Sequence, residues 1–232
     1  MDNAVIDSSS NEWIWLSYTL SKNTPAYGDG DGFQIFPEKC ISSGDSCNVS
    51  KLIFNNHLGS HVDAPRHFLT EGMSVDSYQP KDWFFSSPLL IDLPLSSAEL
   101  ISVNHLSPLL LESKYDCDLL LIRTGFESLR SERRYWESGP GLHPDLAAWL
   151  KCKFPSLRAI GMDWISVSSF QHRVEGRVAH RELLGAGWRL FEDLSLGMVP
   201  RGLIHSVLAL PLRIDGGDGA PCTIIANITN SG

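Results

Sequence analysis

Eleven consecutive residues, His57-Leu58-Gly59-Ser60-His61-Val62-Asp63-Ala64-Pro65-Arg66-His67, hold three of the chain's eight histidines and one carboxylate, all at odd positions. On an extended backbone side chains alternate, so these four would point to one side. A straight segment cannot bring both ends to one point, because ten steps of ~3.3 Å separate them by about 33 Å. A bend is required. Gly59 can supply it through backbone angles closed to other residues, and Pro65 through its fixed φ and its push on Ala64 toward extended geometry. The i, i+4 spacing of His57 and His61 also fits one helical turn, but a helix running through Pro65 would lose a hydrogen bond and clash with its preceding turn. The stretch is therefore expected at the end of a strand over residues 51–56, running into a loop.

Imidazoles crowded this closely repel one another when protonated and need partners when buried, which points to a metal site rather than to separate half-buried histidines. Neutral imidazole with carboxylate suits zinc, manganese or iron, whereas calcium and magnesium prefer oxygen alone. Zinc is the first expectation and manganese the alternative. His57, His61 and Asp63 leave an ion short of ligands if His67 is reserved for chemistry, so further donors must come from elsewhere. His105, His143, His172, His180, His205 and the acids are all candidates, and spacing does not choose among them.

A formal charge of −8 and the absence of a basic stripe argue against nucleic acid as a partner. No apolar run approaches the ~18 residues of a membrane span, and the first fifteen residues lack the basic start and apolar run of a secretion signal. Five cysteines (Cys40, Cys47, Cys117, Cys152, Cys222) form no CxxC pair and read as reduced thiols, in keeping with a cytoplasmic location. The glycosylation-type triplets at Asn48 and Asn227 are then idle. At 232 residues the chain fits one domain, expected over 12–232 after a disordered 1–11.

Along the chain, strands are expected at 13–18, 33–36, 51–56, 89–93, 117–123 and 158–162, with late strands at 205–214 and 221–228 joined by a turn through Asp215-Gly216-Gly217-Asp218-Gly219. Residues 27–32 read as a turn or as a lid over the site, rather than as a calcium loop. Residues 68–87 read as a loop whose Trp83, Phe84 and Phe85 are core or a wall for a flat substrate ring. A short helix is expected within 97–113, a solvated helix face over 127–137, a helix over 144–151, and a short helix or turn over 180–188. Residues 172–177 read as a charged loop that could set an arginine against a substrate. Asp163 either holds a histidine or caps a turn. Alternating strands and helices make this a mixed α/β chain.

HxGSHxDAPxH resembles the HxGTHxDxPxH signature of the metal-dependent cyclase family, which includes bacterial kynurenine formamidases and isatin hydrolases. His180-Arg-Glu-Leu-Leu and Phe191-Glu192 resemble that family's second pair of ligands. Leu121-Ile122-Arg123-Thr124-Gly125 and Gly161-Met162-Asp163 resemble its middle strands, so the similarity spans about residues 13–228. Ser60 stands where threonine is usual. Residues 164–169 depart from the usual threonine-proline-serine followed by an acid. The resemblance implies a mixed-sheet swivelling β/β/α-type fold and a homodimer or higher homo-oligomer. It implies that His57, His61 and Asp63 bind one ion, that Asp63, His180 and Glu192 bind a second, and that His67 is the general acid and base. Some relatives keep one ion only.

The activity expected is hydrolysis of an amide, formamide or lactam-type C–N bond in a small, aromatic substrate by a metal-activated water. The rivals are a cyclase or dehydratase acting on a biosynthetic intermediate, in which no water attacks, and a catalytically silent metal-binding protein. A serine hydrolase is excluded by the lack of a G-x-S-x-G motif.

Overall fold

The computed structural model describes residues 11–110, 116–200 and 204–229. Its strands, in order, are β1 (Asn11–Trp15), β2 (Gln34–Lys39), β3 (Val49–Ile53), β4 (His61–Asp63), β5 (Phe84–Phe85), β6 (Pro88–Asp92), β7 (Leu100–Ile101), β8 (Leu119–Arg123), β9 (Gly141–Leu142), β10 (Ala159–Met162), β11 (Arg189–Glu192), β12 (Ile204–Pro211) and β13 (Gly219–Thr229). The helices are α1 (Val103–Leu110), α2 (Arg134–Glu137), α3 (Leu146–Lys153) and α4 (Arg173–Gly185). The expectation of disorder at 1–11 falls outside the described residues except at Asn11, which begins β1.

The chain forms a mixed α/β domain around a nine-stranded sheet ordered β5-β12-β13-β4-β11-β10-β8-β6, with β1 also paired to β13. Continuous apolar runs make its middle: Leu119, Leu120, Leu121 and Ile122 of β8 and all of β10 are buried, as parallel strands covered on both faces must be. Strand β13 instead alternates buried and less buried residues and pairs antiparallel with β12, β4 and β1. One apolar core joins Phe85, Leu121, Phe191, Val207 and Ile224, so strands from across the sheet curl around it. The other joins Leu120, Ile122 and Leu190 to Leu146, Leu150, Leu183 and Leu184, and seats α3 and α4 against the sheet. No helix among the described residues is long and apolar enough to cross a membrane.

Three expectations need correction. Residues 172–177 are not a loop, because α4 starts at Arg173 and runs to Gly185. Its buried positions Gly176, Ala179, His180, Leu183 and Leu184 follow helical spacing. Gly176 allows close packing here, since a Cβ at this position would overlap Ser168. Second, the strand before the histidines does not deliver them: β3 ends at Ile53 and pairs only with β2, His57 lies in the following turn, and His61 and Asp63 sit in β4, inside the main sheet. Third, residues 127–137 are not simply a solvated face, because Tyr135 and Trp136 of α2 are buried. Within the expected loop 68–87 lie two short 3-10 turns and β5, with Trp83 and Phe85 in the core and Phe84 exposed.

The bend demanded by the sequence falls at Gly59, whose φ is +70°. A Cβ there would sit 2.7 Å from Leu20 Cδ2 and 3.1 Å from Thr24 Cγ2. Gly59→Ala combines left-handed strain with this overlap and is expected to cost about 2 kcal/mol. Urea unfolding should show a lower midpoint at unchanged m-value.

Candidate metal centre and active site

Strand register does most of the assembly. β4 lies between β11 and β13, with His61 directly opposite Glu192 and Asp63 directly opposite Gly219. Directly opposed residues hold their Cβ atoms about 5 Å apart, within reach of a shared ligand. Gly219 also leaves room for the His57 ring, which a Cβ at that position would overlap. His180 reaches the same point from the buried face of α4.

All four central donors are buried: His61, Asp63, His180 and Glu192 are each less than 5% exposed. His61 Nδ1 donates to the Gly59 carbonyl (2.7 Å) and His180 Nδ1 to the Gly176 carbonyl (2.9 Å), which leaves both Nε2 atoms facing the carboxylates. His61 Nε2 is 3.4 Å from Asp63 Oδ1 and 3.3 Å from Glu192 Oε2. His180 Nε2 is 3.6 Å from Asp63 Oδ2 and 3.5 Å from Glu192 Oε1. These separations are long for hydrogen bonds. They match the edge of about 3.4 Å expected between ligands placed tetrahedrally about 2.1 Å from one ion.

The donor groups form two sets, His57, His61 and Asp63 on one side and Asp63, His180 and Glu192 on the other, each with donor atoms within 4.8 Å of one another. Asp63 belongs to both. His57 presents Nδ1 to Asp63 Oδ1 at 2.7 Å and Nε2 to Asp218 Oδ2 at 3.0 Å. A neutral ring can donate from only one nitrogen, so this ring is either charged or turns a lone pair toward a cation beside Asp63. The donor set therefore fits a divalent metal.

The electrostatics say the same. Burial opposes charge on both Asp63 and Glu192, yet the neighbouring imidazoles hold Asp63 well below the ordinary carboxylate range and Glu192 below it. Burial likewise opposes charge on His180, but the facing carboxylates of Asp63 and Glu192 push its pKa up to about 9. Two buried carboxylates demand positive charge among them.

His67 sits beside this cluster in a turn begun by Pro65, its ring 4.0 Å from that of His57 between centroids. Its Nδ1 bonds Asp218 Oδ2 at 2.9 Å. Asp218 was legible only as a turn residue, yet it joins His57 and His67 and is itself held by Asn56 Nδ2 at 2.7 Å. Burial would raise its pKa, but His67 and His57 bring it down to about 2. His57, His67 and Asp218 make a third possible donor set.

Residues 164–169 orient two of these donors. The Val167 N–H donates to Glu192 Oε1 at 2.7 Å, and the Ser168 hydroxyl lies 3.2 Å from His180 Nδ1. Asp163 meets no histidine. It accepts the N–H groups of Thr124 and Gly125 and the Thr124 hydroxyl, capping the turn after β8, while burial raises its pKa to about 6. A cavity of about 280 Å³ opens over the cluster, lined further by Tyr27, Phe68, Arg173 and Arg177. Phe68 stacks on His180 at 4.4 Å. None of His105, His143, His172 and His205 lines this cavity. All five cysteines are free and none belongs to the cluster.

With this fold and site, the chain belongs to the cyclase family: the family model described as "Putative cyclase" matches residues 14–169. It is 30% identical over 212 residues to the kynurenine formamidase of Bacillus cereus, covering 91% of this chain and 95% of that one. Cyclase-like protein 2 of Oryza sativa subsp. japonica is 26% identical, with 90% of this chain and 77% of the relative covered. Isatin hydrolase A from Labrenzia aggregata, bound to benzyl benzoate, superposes with a TM-score of 0.82 at 22% identity, covering 95% and 94% of the two chains. That likeness is one of fold.

Ser60, where threonine is usual, is buried, donating to the Asp193 carbonyl (2.6 Å) and accepting the Tyr18 N–H (2.8 Å). Ser60→Ala leaves both backbone groups short of a partner and is expected to cost about 1–3 kcal/mol. Ser60→Thr keeps the hydroxyl and should unfold close to the parent in the same denaturation assay.

Proposed function

We propose that this chain is a metal-dependent hydrolase that cleaves an amide, formamide or lactam-type C–N bond, other than a peptide bond, in a small aromatic substrate. The observation that carries the reading is the pair of donor sets sharing Asp63 at the floor of a cavity whose wall holds His67. The kinship with kynurenine formamidases supports the C–N bond as the target.

His57, His61 and Asp63 would hold one ion, and Asp63, His180 and Glu192 a second, with zinc first and manganese as the alternative. When bound, such an ion lowers the pKa of water toward neutrality and polarises a carbonyl. His67 serves as general acid and base. Its Nδ1 is fixed by Asp218, which leaves Nε2 to take up a proton and deliver it to the leaving nitrogen. Asp218 also fixes His57, so proton carrier and ligand keep one spacing. Phe68, stacked on His180, offers a flat apolar wall for an aromatic ring.

His67→Ala is expected to lower kcat by about 10²–10⁴-fold while metal content stays near normal. Loss of the metal instead would make His67 a ligand. Turnover of a formyl-anilide, an isatin-like lactam or a simple ester in heavy-oxygen water should place the label in the acid product, which cyclisation would not do. Full metal occupancy with no turnover of any of these substrates would favour the silent metal-binding reading.

The single-domain, cytoplasmic protein is further proposed to work as a homodimer. The β2–β3 hairpin is exposed along its whole length, and a two-stranded hairpin is marginal by itself. It adjoins a groove lined by Trp15, Phe33, Leu52, Phe54, Leu210 and Leu212, with Trp15 69% exposed. Apolar area of this extent calls for a cover, and a second copy supplies one. Sedimentation should report a dimer, and Leu52→Glu with Leu210→Glu should shift it to monomer.

A further inference from the structure

The cavity over the cluster carries two guanidinium groups that neither the fold nor the proposed chemistry uses. Arg173, Arg177 and His180 fall at i, i+4 and i+7 on α4, on one face of the helix, and all three line the cavity. At 1.5 Å per residue, Arg177 stands about 4.5 Å and Arg173 about 10.5 Å along the helix from His180.

Stability does not account for this placement. Arg173 opens the helix and Arg177 stands in its second turn, close to the end where the helix dipole disfavours positive charge. Arg173, Arg177 and Arg181 also follow one another at i, i+4 spacing, where like charges repel and no acid intervenes at i±3 or i±4 of Arg177. Among the described residues, neither Arg173 nor Arg177 has a carboxylate within ion-pair distance. The nearby acids are engaged: Asp63 and Glu192 face His61 and His180, and Asp218 faces His57 and His67. Arg173 lies over the Phe170 ring at 5.1 Å, which steadies it without neutralising it. The Tyr27 hydroxyl lines the same cavity, shielded from solvent, and faces the guanidinium of Arg173.

Two solvent-exposed guanidiniums without a carboxylate partner stand with a shielded hydroxyl beside an apolar wall, an arrangement that suits an anion. In a chain of formal charge −8 they are also a local exception to a field that repels anions. We propose that Arg173 and Arg177, with the Tyr27 hydroxyl, bind a carboxylate or similar anionic group of the substrate, so that the preferred substrate is an aromatic acid. The proposal rests on the hydrolase reading for its substrate, but not for its anion.

The test compares 2-formamidobenzoate with neutral formanilide as substrates, and follows equilibrium binding of 2-aminobenzoate to the protein as purified by its fluorescence. In the Arg173→Gln, Arg177→Gln double variant, 2-aminobenzoate binding should weaken by about 10–100-fold, as expected for loss of charge-assisted hydrogen bonds. KM for 2-formamidobenzoate should rise by a similar factor with kcat little changed, while kcat/KM for formanilide stays level. Lysine at both positions should restore part of the affinity, and Arg181→Gln, on the same helix but away from the cavity lining, should leave it unchanged. Binding and KM unaltered in the double variant would overturn the subsite while leaving the hydrolase reading intact. Arginine-dependent binding of 2-aminobenzoate with no turnover of either formyl compound would uphold the subsite and count against the hydrolase reading.

Discussion

Two carboxylates, Asp63 and Glu192, lie almost wholly out of water at the centre of the sheet, and the rest of the site follows from that expense. Removing an isolated charge from water costs far more than a fold of ordinary stability can absorb. Both acids stand where strand pairing puts them, one on β4 and one on β11, so they cannot swing out to solvent without breaking the ladder. Positive charge must come to them. Three imidazoles supply some of it, and each ring takes its orientation from a neighbour: His61 from the Gly59 carbonyl, His180 from that of Gly176, His57 from Asp218. With the outer nitrogens so occupied, the inner ones face the two carboxylates in two sets that share Asp63, an arrangement suited to divalent cations.

The backbone around these acids is fixed by a second charged pair. Asp193, next to Glu192, adopts a φ of 55°, a region that residues other than glycine rarely occupy. Arg130 holds its carboxylate through Nε (2.8 Å) and Nη2 (2.7 Å), and the Tyr135 hydroxyl adds a third bond at 2.6 Å. Arg130 in turn lies 3.9 Å over the Tyr18 ring, and Ser60 holds the Asp193 carbonyl. Segments far apart in sequence are thus tied to the residue that follows Glu192, and the strain at Asp193 is offset by the bonds its side chain accepts.

How much of this could be read from sequence depended on whether the chemistry was local. The histidine-rich stretch was legible because its density has no ordinary structural use, and the demanded bend appeared at Gly59 for the expected reason. His180 and Glu192 carry no such local signal. An isolated histidine and an isolated glutamate became candidates only through family resemblance, because the register that sets His61 against Glu192 is a property of pairing between distant strands. Asp218 was hidden in a glycine-rich turn whose composition already had a sufficient explanation. The start of α4 was missed because the alternating charges of residues 172–177 read as a loop, while the buried face of the helix shows only from Gly176 onward. Strands of two residues, such as β5, β7 and β9, are too short for any period to show.

Asp218 makes the link between architecture and chemistry most directly. It immediately precedes β13, whose first residue, Gly219, pairs with Asp63, so the same strand both admits the His57 ring and presents the carboxylate that holds it. Because that carboxylate also bonds His67, the spacing between the proposed ligand His57 and the proposed proton carrier His67 is tied to one residue at the start of β13. A proton carrier gains little from strength if it wanders, since misplacement of about 1 Å can cost a hundredfold in rate. The glycine-rich turn before β13 was conspicuous in the sequence as a reversal of the chain. Its larger consequence is that the reversal brings an acid to the site from the strand opposite the histidines.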